Sequence, residues 1–169
     1  MARLKNLQFF SAHEFPDREE EVQWADQMLF VKMDELRRKL DAPIIPSPVP
    51  GALTRFAGST TSRHYSDRKE KFSTAIDVFI SEQNPLEHNF TNTYRAYTLA
   101  LNLGFGGIGV YLDTFYDDLT WPMLHLDIRP HTSPVLWIRE GKEIYTYPHL
   151  SAENRAHYFE SLITAFKPV

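Results

Sequence analysis

The 169-residue chain has 43% hydrophobic and 24% charged residues, which is ordinary for a globular protein in water. Its formal net charge of −4 excludes the basic surface that nucleic-acid-binding domains carry, so we expect no nucleic-acid partner. The chain has no cysteine, which rules out disulfides, thiolate metal sites and cysteine catalysis. A metal ion would therefore have to be held by histidine and carboxylate side chains.

The chain predicts neither a signal peptide nor a membrane-inserted segment. Residues 1–15 lack an apolar core of signal-peptide length, and no later apolar run approaches the length that spans a bilayer. We expect one domain over residues 1–169, made in the cytoplasm without a signal peptide and not inserted in a membrane. Action on a cell wall would then require release of the protein by another route.

The first half of the chain predicts one helix and two strands. Apolar residues recur at intervals of three and four over Glu19–Leu40, which indicates a helix with one buried face and Asp17 as its N-cap. The proline-rich residues 42–51 favour a short edge strand, and the polar residues 58–72 favour a long loop. Thr74–Ile80 is the next predicted strand. The residues expected on the buried helix face are Val22, Ala25, Met28, Leu29, Met33, Leu36 and Leu40.

The second half predicts a helix, a series of strands and a final helix. The helix over Thr91–Leu103 carries Tyr94, Tyr97 or Thr98, and Leu101 on one face, and glycines end it. This order of elements predicts an α+β fold in which helices pack on one side of a mostly antiparallel sheet. The remaining elements are strands at Ile108–Leu112, Leu124–Ile128, Val135–Ile138 and Glu143–Tyr147, a hairpin turn at residues 139–142, and a helix capped by Ser151 that ends near Phe166.

Two predicted strands carry polar residues at positions where strands are normally apolar. Side chains alternate along a strand, so His125 and Asp127 share one face of theirs, and Asp77 lies between the apolar Ile76 and Val78. A buried carboxylate is costly unless it is paired or bound to a metal. The pattern leaves two interpretations open. Neighbouring strands could build one metal site, or Asp77 could pair with an arginine while His125 bonds to Asp127.

Three stretches of the sequence match motifs of one enzyme family. Ser62–His64 followed by Ser73–Val78 resembles the signature SxHxxGxAxD, and Leu124–Arg129 resembles a later motif in which His and Asp alternate with apolar residues. Both are typical of the zinc D-Ala-D-Ala carboxypeptidase and L-Ala-D-Glu endopeptidase family, whose fold is similar to that of the hedgehog signalling domain. Gly106–Tyr111 and Trp137 also resemble a subgroup of this family, whose phage and bacterial members cut cell-wall peptides.

The match departs from the family pattern between the first two motif residues, His64 and Asp77. Residues 66–71, SDRKEK, form a charged insertion there, and Ser73 stands where the family has glycine. We expect the insertion to bulge into solvent without separating the motif residues, because lengthening a loop costs little free energy.

The resemblance implies a zinc ion bound by His64, Asp77 and His125, with Arg55 as the closest match to a substrate-binding arginine. It implies a zinc-dependent peptidase that hydrolyses peptidoglycan stem peptides, either as a phage lysin or as a virion-associated wall hydrolase. The alternative is a non-catalytic structural or binding protein of a phage virion, which retains the fold and contacts other virion proteins.

The general base of such a peptidase is not evident from the motif. Many family members carry an acid or a histidine shortly before the third ligand, but residues 122–124 here are Pro, Met and Leu. Asp127 is the first catalytic candidate, because it shares the face of His125. Its competing role is to orient a ligand histidine by accepting the other ring N–H. The reserve candidates for the base are Asp113, Asp117 and Asp118.

Overall fold

The structure, a computed structural model, describes residues 4, 6–83, 90–141, 143–147 and 152–166. In these residues four α-helices accompany a six-stranded sheet and a two-stranded hairpin. The helices are α1 (Glu19–Gln23), α2 (Gln27–Leu40), α3 (Thr91–Asn102) and α4 (Ala152–Phe166). The strands are β1 (Ile44–Pro46), β2 (Ala75–Ile80), β3 (Gly107–Tyr111), β4 (Phe115–Tyr116), β5 (Leu119–Thr120), β6 (Met123–Asp127), β7 (Val135–Glu140) and β8 (Glu143–Tyr147).

Strand β6 lies inside the large sheet, whose strand order is β1-β2-β6-β3-β7-β8. It pairs antiparallel with β2 on one side and with β3 on the other. Strands β3 and β7 run parallel, so the sheet is mixed, while its other neighbouring pairs are antiparallel. The predicted α+β class and mostly antiparallel sheet are confirmed, and the hedgehog-like fold stays a prediction.

One face of the central strands is apolar and faces the helices. Ile76, Val78 and Ile80 alternate along β2, Leu124 and Leu126 alternate along β6, and all five are buried in the hydrophobic core. Helix α3 packs on β2, β3 and β6, and α4 packs on β7 and β8. This burial specifies the pairing register, because a slip by one residue would turn these side chains to the opposite face.

The single helix predicted over Glu19–Leu40 is wrong, because the chain leaves helical geometry between α1 and α2. There the backbone pairs with a distant residue: Asp26 N–H donates to the Ser73 carbonyl (2.8 Å), and Ser73 N–H donates to the Trp24 carbonyl (2.9 Å). The Asp26 side chain accepts from the N–H of Met28 (2.8 Å) and starts α2. Asp17 is not the N-cap, since Arg18 holds that position in α1.

Two helix positions differ from the predicted buried faces. Met28 is 53% exposed, whereas the other predicted residues of its stripe are buried. Tyr94 in α3 is 48% exposed, because the inward face of that helix is built mainly from small residues that let it lie close to the sheet. The buried residues of α3 are Thr93, Ala96, Tyr97 and Ala100.

The hairpin of β4 and β5 was not predicted. Its turn residues, Asp117 and Asp118, both have positive φ (48° and 61°), the combination found in tight two-residue hairpin turns. The short edge strand β1 and the hairpin of β7 and β8 are confirmed, and residues 58–72 form no helix or strand. The predicted cap Ser151 lies outside the described residues.

Glu21 in α1 organises the chain segment that follows β1. Its carboxylate pairs with Arg18 (2.7 Å) and accepts from the backbone N–H groups of Gly51 (3.3 Å), Leu53 (3.3 Å) and Thr54 (3.0 Å). Burial alone would raise the pKa of Glu21, but the hydrogen bonds from Arg18, Thr54 and Gly51 outweigh it and hold the pKa below its ordinary value of 4.5.

Replacing Glu21 with glutamine should lower the free energy of unfolding at pH 7 by about 1–3 kcal/mol, because the charge-assisted hydrogen bonds are lost. The folded protein binds this proton less readily than the unfolded chain, so the contribution is present above pH 4.5 and is lost as the pH falls through the lower folded pKa. Urea unfolding of wild type and variant from pH 7 to pH 3 measures the difference.

The matched control is Glu35→Gln, since the Glu35 side chain is 46% exposed and lies 3.9 Å from Lys39. Such a surface pair contributes at most about 1 kcal/mol. A Glu21→Gln loss that is equal at pH 3 and pH 7 would contradict a role for its charge.

Candidate metal centre

The pairing of β2 with β6 places Asp77 and His125 side by side. They are direct partners in the antiparallel register, so both side chains project from the same face of the sheet. That face is opposite to the one formed by the core residues of the two strands. Both residues are buried, with 7% and 6% of their surface exposed. The predicted metal ligands on the two strands therefore meet because of the sheet register.

His64 reaches the same point from the long loop. Its backbone carbonyl accepts from Arg55 N–H (2.6 Å), and Ser66 N–H donates to the Arg55 carbonyl (2.9 Å). One residue earlier, the Arg63 carbonyl accepts from Thr74 N–H (2.8 Å), directly before β2. These bonds hold both sides of His64, and the insertion predicted to bulge away does not separate it from Asp77.

Three side-chain atoms converge within hydrogen-bonding distance of one another. The His125 Nδ1 atom lies 2.9 Å from Asp77 Oδ1 and 3.0 Å from His64 Nε2, and the latter lies 3.3 Å from Asp77 Oδ1. Ligand atoms around a tetrahedral zinc ion, with bonds of about 2.0–2.1 Å, are about 3.3 Å apart. Two imidazole N–H groups can satisfy both contacts to Asp77 but would then lie 3.0 Å apart as two donors, whereas one cation can serve all three atoms. His64, Asp77 and His125, which we call the metal group, could therefore hold a metal ion.

Asp127 contacts the other ring nitrogen of His125, away from the point where the three atoms converge. Its Oδ2 atom lies 3.3 Å from His125 Nε2, and its Oδ1 atom accepts from Arg129 Nε (2.8 Å) and from Arg129 N–H (3.0 Å). Asp127 is fully buried. A carboxylate at the second nitrogen of a ligand histidine selects its tautomer and fixes its ring. This placement favours the orienting role of Asp127 over the general-base role.

Two glycines in β3 make room for the side chains around His125. A methyl group at Gly107 would occupy the place of the Asp127 carboxylate, and one at Gly109 would overlap the indole of Trp137. The Trp137 ring centroid lies 5.0 Å from that of His125. The two glycines and Trp137 belong to the sequence resemblance, but their spacing does not show that they lie against His125.

The carboxylates of the site are held in their ionised form. Burial would raise the pKa of Asp77, but hydrogen bonds and charge from His125 and His64 hold it well below its ordinary value of 3.8. Burial would also lower the pKa of His125, but Asp127 and Asp77 outweigh it and raise the pKa to about 8. An ionised carboxylate is the form that binds a metal, whereas His125 has to release a proton before its Nδ1 atom can bind one. The second ring nitrogen of His125 contacts Asp127, whereas the second ring nitrogen of His64, Nδ1, is buried without a hydrogen-bond partner among the described residues.

The metal group opens into a cavity of about 490 Å³. Arg55 lies in its lining, as expected for a substrate-binding residue, and Asp77 is the one carboxylate residue among the described residues that line it. Asp113 pairs with Arg139 (3.1 Å), while Asp117 and Asp118 form the β4–β5 turn, so none of the reserve candidates lines the cavity. Besides the metal group and Arg55, the lining consists of Ser47, Val49, Ser62, Phe79, Tyr111, Thr114, Phe115, Met123 and Arg139.

No family model, no curated protein and no solved structure matches this chain. The resemblance to the zinc D-Ala-D-Ala peptidase family therefore rests on the motif residues, and the three expected ligands among them, His64, Asp77 and His125, are the ones that converge. Within the described part of the chain, no helix is both long and apolar enough to cross a membrane.

Replacing Asp77 with alanine should abolish the stabilisation of the protein by zinc. With free zinc at about 100 times its dissociation constant, the wild type should gain about 2.7 kcal/mol, whereas the variant should gain close to none. Thermal melts with zinc and with a chelator measure both gains, and Glu35→Ala, an exposed carboxylate on α2, serves as the control. An equal destabilisation by Asp77→Ala in both conditions would mark Asp77 as an ordinary structural partner.

Replacing Asp127 with asparagine should weaken zinc binding by about 10- to 100-fold, because the uncharged amide orients His125 less firmly. Competition with a chromophoric chelator measures the affinity, and Asp113→Asn provides the same charge change at a residue outside the metal group. Unchanged zinc affinity in Asp127→Asn would contradict the orienting role. If hydrolysis were lost at the same time, that result would restore Asp127 as the candidate base.

Proposed function

We propose that this chain is a zinc-dependent peptidase that hydrolyses peptide bonds in peptidoglycan stem peptides. The observation that carries the proposal is the convergence of His64 Nε2, Asp77 Oδ1 and His125 Nδ1 beside a cavity of about 490 Å³. The motif resemblance supplies the substrate class, because the same three residues stand at the ligand positions of peptidases that act on cell-wall peptides.

Zinc is the metal that suits this donor set. Two imidazole nitrogens and one carboxylate oxygen are a set found in catalytic zinc sites, which keep a fourth position open. Calcium and magnesium prefer sites built from oxygen atoms. When bound, zinc would supply Lewis acidity that activates water and polarises the carbonyl of the scissile bond.

The chain's own side chains would bind the substrate and orient the metal group. Phe79 and Met123 form an apolar surface of the cavity beside Asp77 and His125. Phe79 lies two residues after Asp77 on the same face of β2, and Met123 lies two residues before His125 on the same face of β6. Tyr111 and Arg55 line the cavity and can donate hydrogen bonds to the carbonyl groups of a peptide. Asp127 acts as a positioning residue through His125 Nε2.

The second candidate is a non-catalytic phage virion component that keeps the fold and the metal group. One observation favours it: among the described residues that line the cavity, no carboxylate other than the proposed ligand Asp77 is available as a general base. In either case we propose that the protein meets the cell wall after release or within a virion, and this location rests on the resemblance.

Metal analysis combined with digestion of purified peptidoglycan tests the proposal. We expect one zinc ion per chain and the release of new amino groups, both abolished in His125→Ala, and cleavage lost on chelation and restored by added zinc. Mass spectrometry of the released peptides identifies the bond. Stoichiometric zinc without cleavage would support the virion component, and a wild type that binds no zinc would overturn the peptidase proposal.

A further inference from the structure

A second cavity, of about 380 Å³, lies next to the cavity that contains the metal group, which we call the metal cavity. The two share a wall, because successive residues of the segment that follows β1 line opposite sides of it. Pro46 and Pro48 line the second cavity, whereas Ser47 and Val49 line the metal cavity. A ligand that crosses this wall would occupy both cavities.

Tyr116 in the β4–β5 hairpin forms another part of the shared wall. It lines the second cavity, whereas its neighbour Phe115 lines the metal cavity. The Tyr116 ring centroid lies 5.0 Å from that of Phe79 and 5.5 Å from that of Trp121, and these contacts fix the ring. Tyr116 is half-buried, so part of its ring is left to contact a ligand.

The sheet fixes the distance between the second cavity and the metal group. Ile45 of β1 lines the second cavity and is the direct partner of Phe79. Phe79 in turn lies two residues after Asp77 on the same face of β2. With strands about 4.8 Å apart and residues about 3.3 Å apart, the Cα atoms of Ile45 and Asp77 are about 8 Å apart. An extended peptide covers this distance in about two or three residues.

The polar residues of the second cavity suit a neutral ligand that has hydroxyl groups. Arg37 pairs with Glu14 of the same lining. Arg18, also in the lining, pairs with Glu21 (2.7 Å). Such pairs offer donors and acceptors for hydrogen bonds without an unpaired arginine that would select an anion. Arg37 uses one terminal nitrogen to bond both Glu14 and the Phe9 carbonyl (2.7 Å), and its other N–H groups can donate to a ligand.

The apolar residues of the second cavity suit a sugar ring. They are prolines, isoleucines and Tyr116. A pyranose ring has C–H groups on its flat faces and hydroxyl groups around its edge, so one face can contact an aromatic ring while the edge forms hydrogen bonds. The residues of a stem peptide are mostly small or charged and do not match this lining. The sugar to which each stem peptide is attached does match it.

We infer that the second cavity binds a sugar ring of the glycan strand while the attached stem peptide lies at the metal group. Tyr116 contacts the C–H face of the sugar, and Arg37 donates to its hydroxyl groups. The bond at the metal group then lies within about two or three residues of the sugar. This inference rests on the proposed function and names the part of peptidoglycan that the second cavity binds.

Two probes that differ by the sugar ring test the inference. They are N-acetylmuramoyl-L-alanine amide and N-lactoyl-L-alanine amide, and neither contains a bond between two amino-acid residues, so turnover is not required. In methyl NMR titrations, the zinc-loaded wild type should bind the sugar probe about 10-fold or more tightly. The sugar probe alone should shift the signals of Ile45. Equal affinities would overturn the inference, and so would sugar-dependent shifts at Val49 without any at Ile45.

Tyr116→Leu should weaken binding of the sugar probe by about 3- to 10-fold and leave the sugar-free probe unchanged, because the flat ring is lost. Arg37→Lys keeps the charge beside Glu14 but removes the planar donors, and it should also weaken binding of the sugar probe alone. It provides a second variant if the leucine disturbs packing. Tyr94→Leu, at a tyrosine that is 48% exposed and outside both linings, should change neither affinity. An undiminished advantage of the sugar probe in both Tyr116→Leu and Arg37→Lys would overturn the inference.

The outcomes separate this inference from the proposed peptidase activity. If the sugar probe binds beside Ile45 but peptidoglycan is not cleaved, the sugar site stands and the peptidase proposal fails. If peptidoglycan is cleaved but the two probes bind equally, the peptidase proposal stands and the sugar site fails.

Discussion

The antiparallel register between β2 and β6 is the constraint on which the site depends. It sets Asp77 directly opposite His125, and it does so because Ile76, Val78, Leu124 and Leu126 occupy the core on the other face. A shift of one residue would place the two donors on different faces and expose the apolar side chains. The apolar side chains on one face of the sheet therefore specify the geometry of a polar group on the other.

The buried charges around His125 form one connected system. Arg129 pairs with Asp127, Asp127 contacts His125, and His125 contacts Asp77. Each carboxylate would be expensive to bury alone, because desolvation of an unpaired charge costs several kcal/mol. Their alternation with a guanidinium and an imidazole offsets that cost, and it holds the ring of His125 with Nδ1 directed to the metal group. These contacts therefore orient His125 without an ion.

The sequence indicates the strands and the three converging residues well, because both follow from local alternation and a short motif. It does not indicate the break between α1 and α2, since that break depends on pairing with Ser73, nearly fifty positions away. Alternation also places Asp127 on the face of His125 without showing which ring nitrogen it meets. On α3 the pattern places Tyr97 correctly and Tyr94 wrongly, because close packing there uses alanines, whereas the pattern weights large residues.

The long sequence separations within the metal group determine when the group can form during folding. Asp77 and His64 lie 48 and 61 residues before His125, so the three ligands meet only after β6 has paired with β2. During synthesis, a ribosome-bound chain that ends before β6 has two ligands and no third. Binding of a metal by this group would thus follow formation of the sheet and would not nucleate it. A motif whose ligands lie within one helical turn would behave in the opposite way.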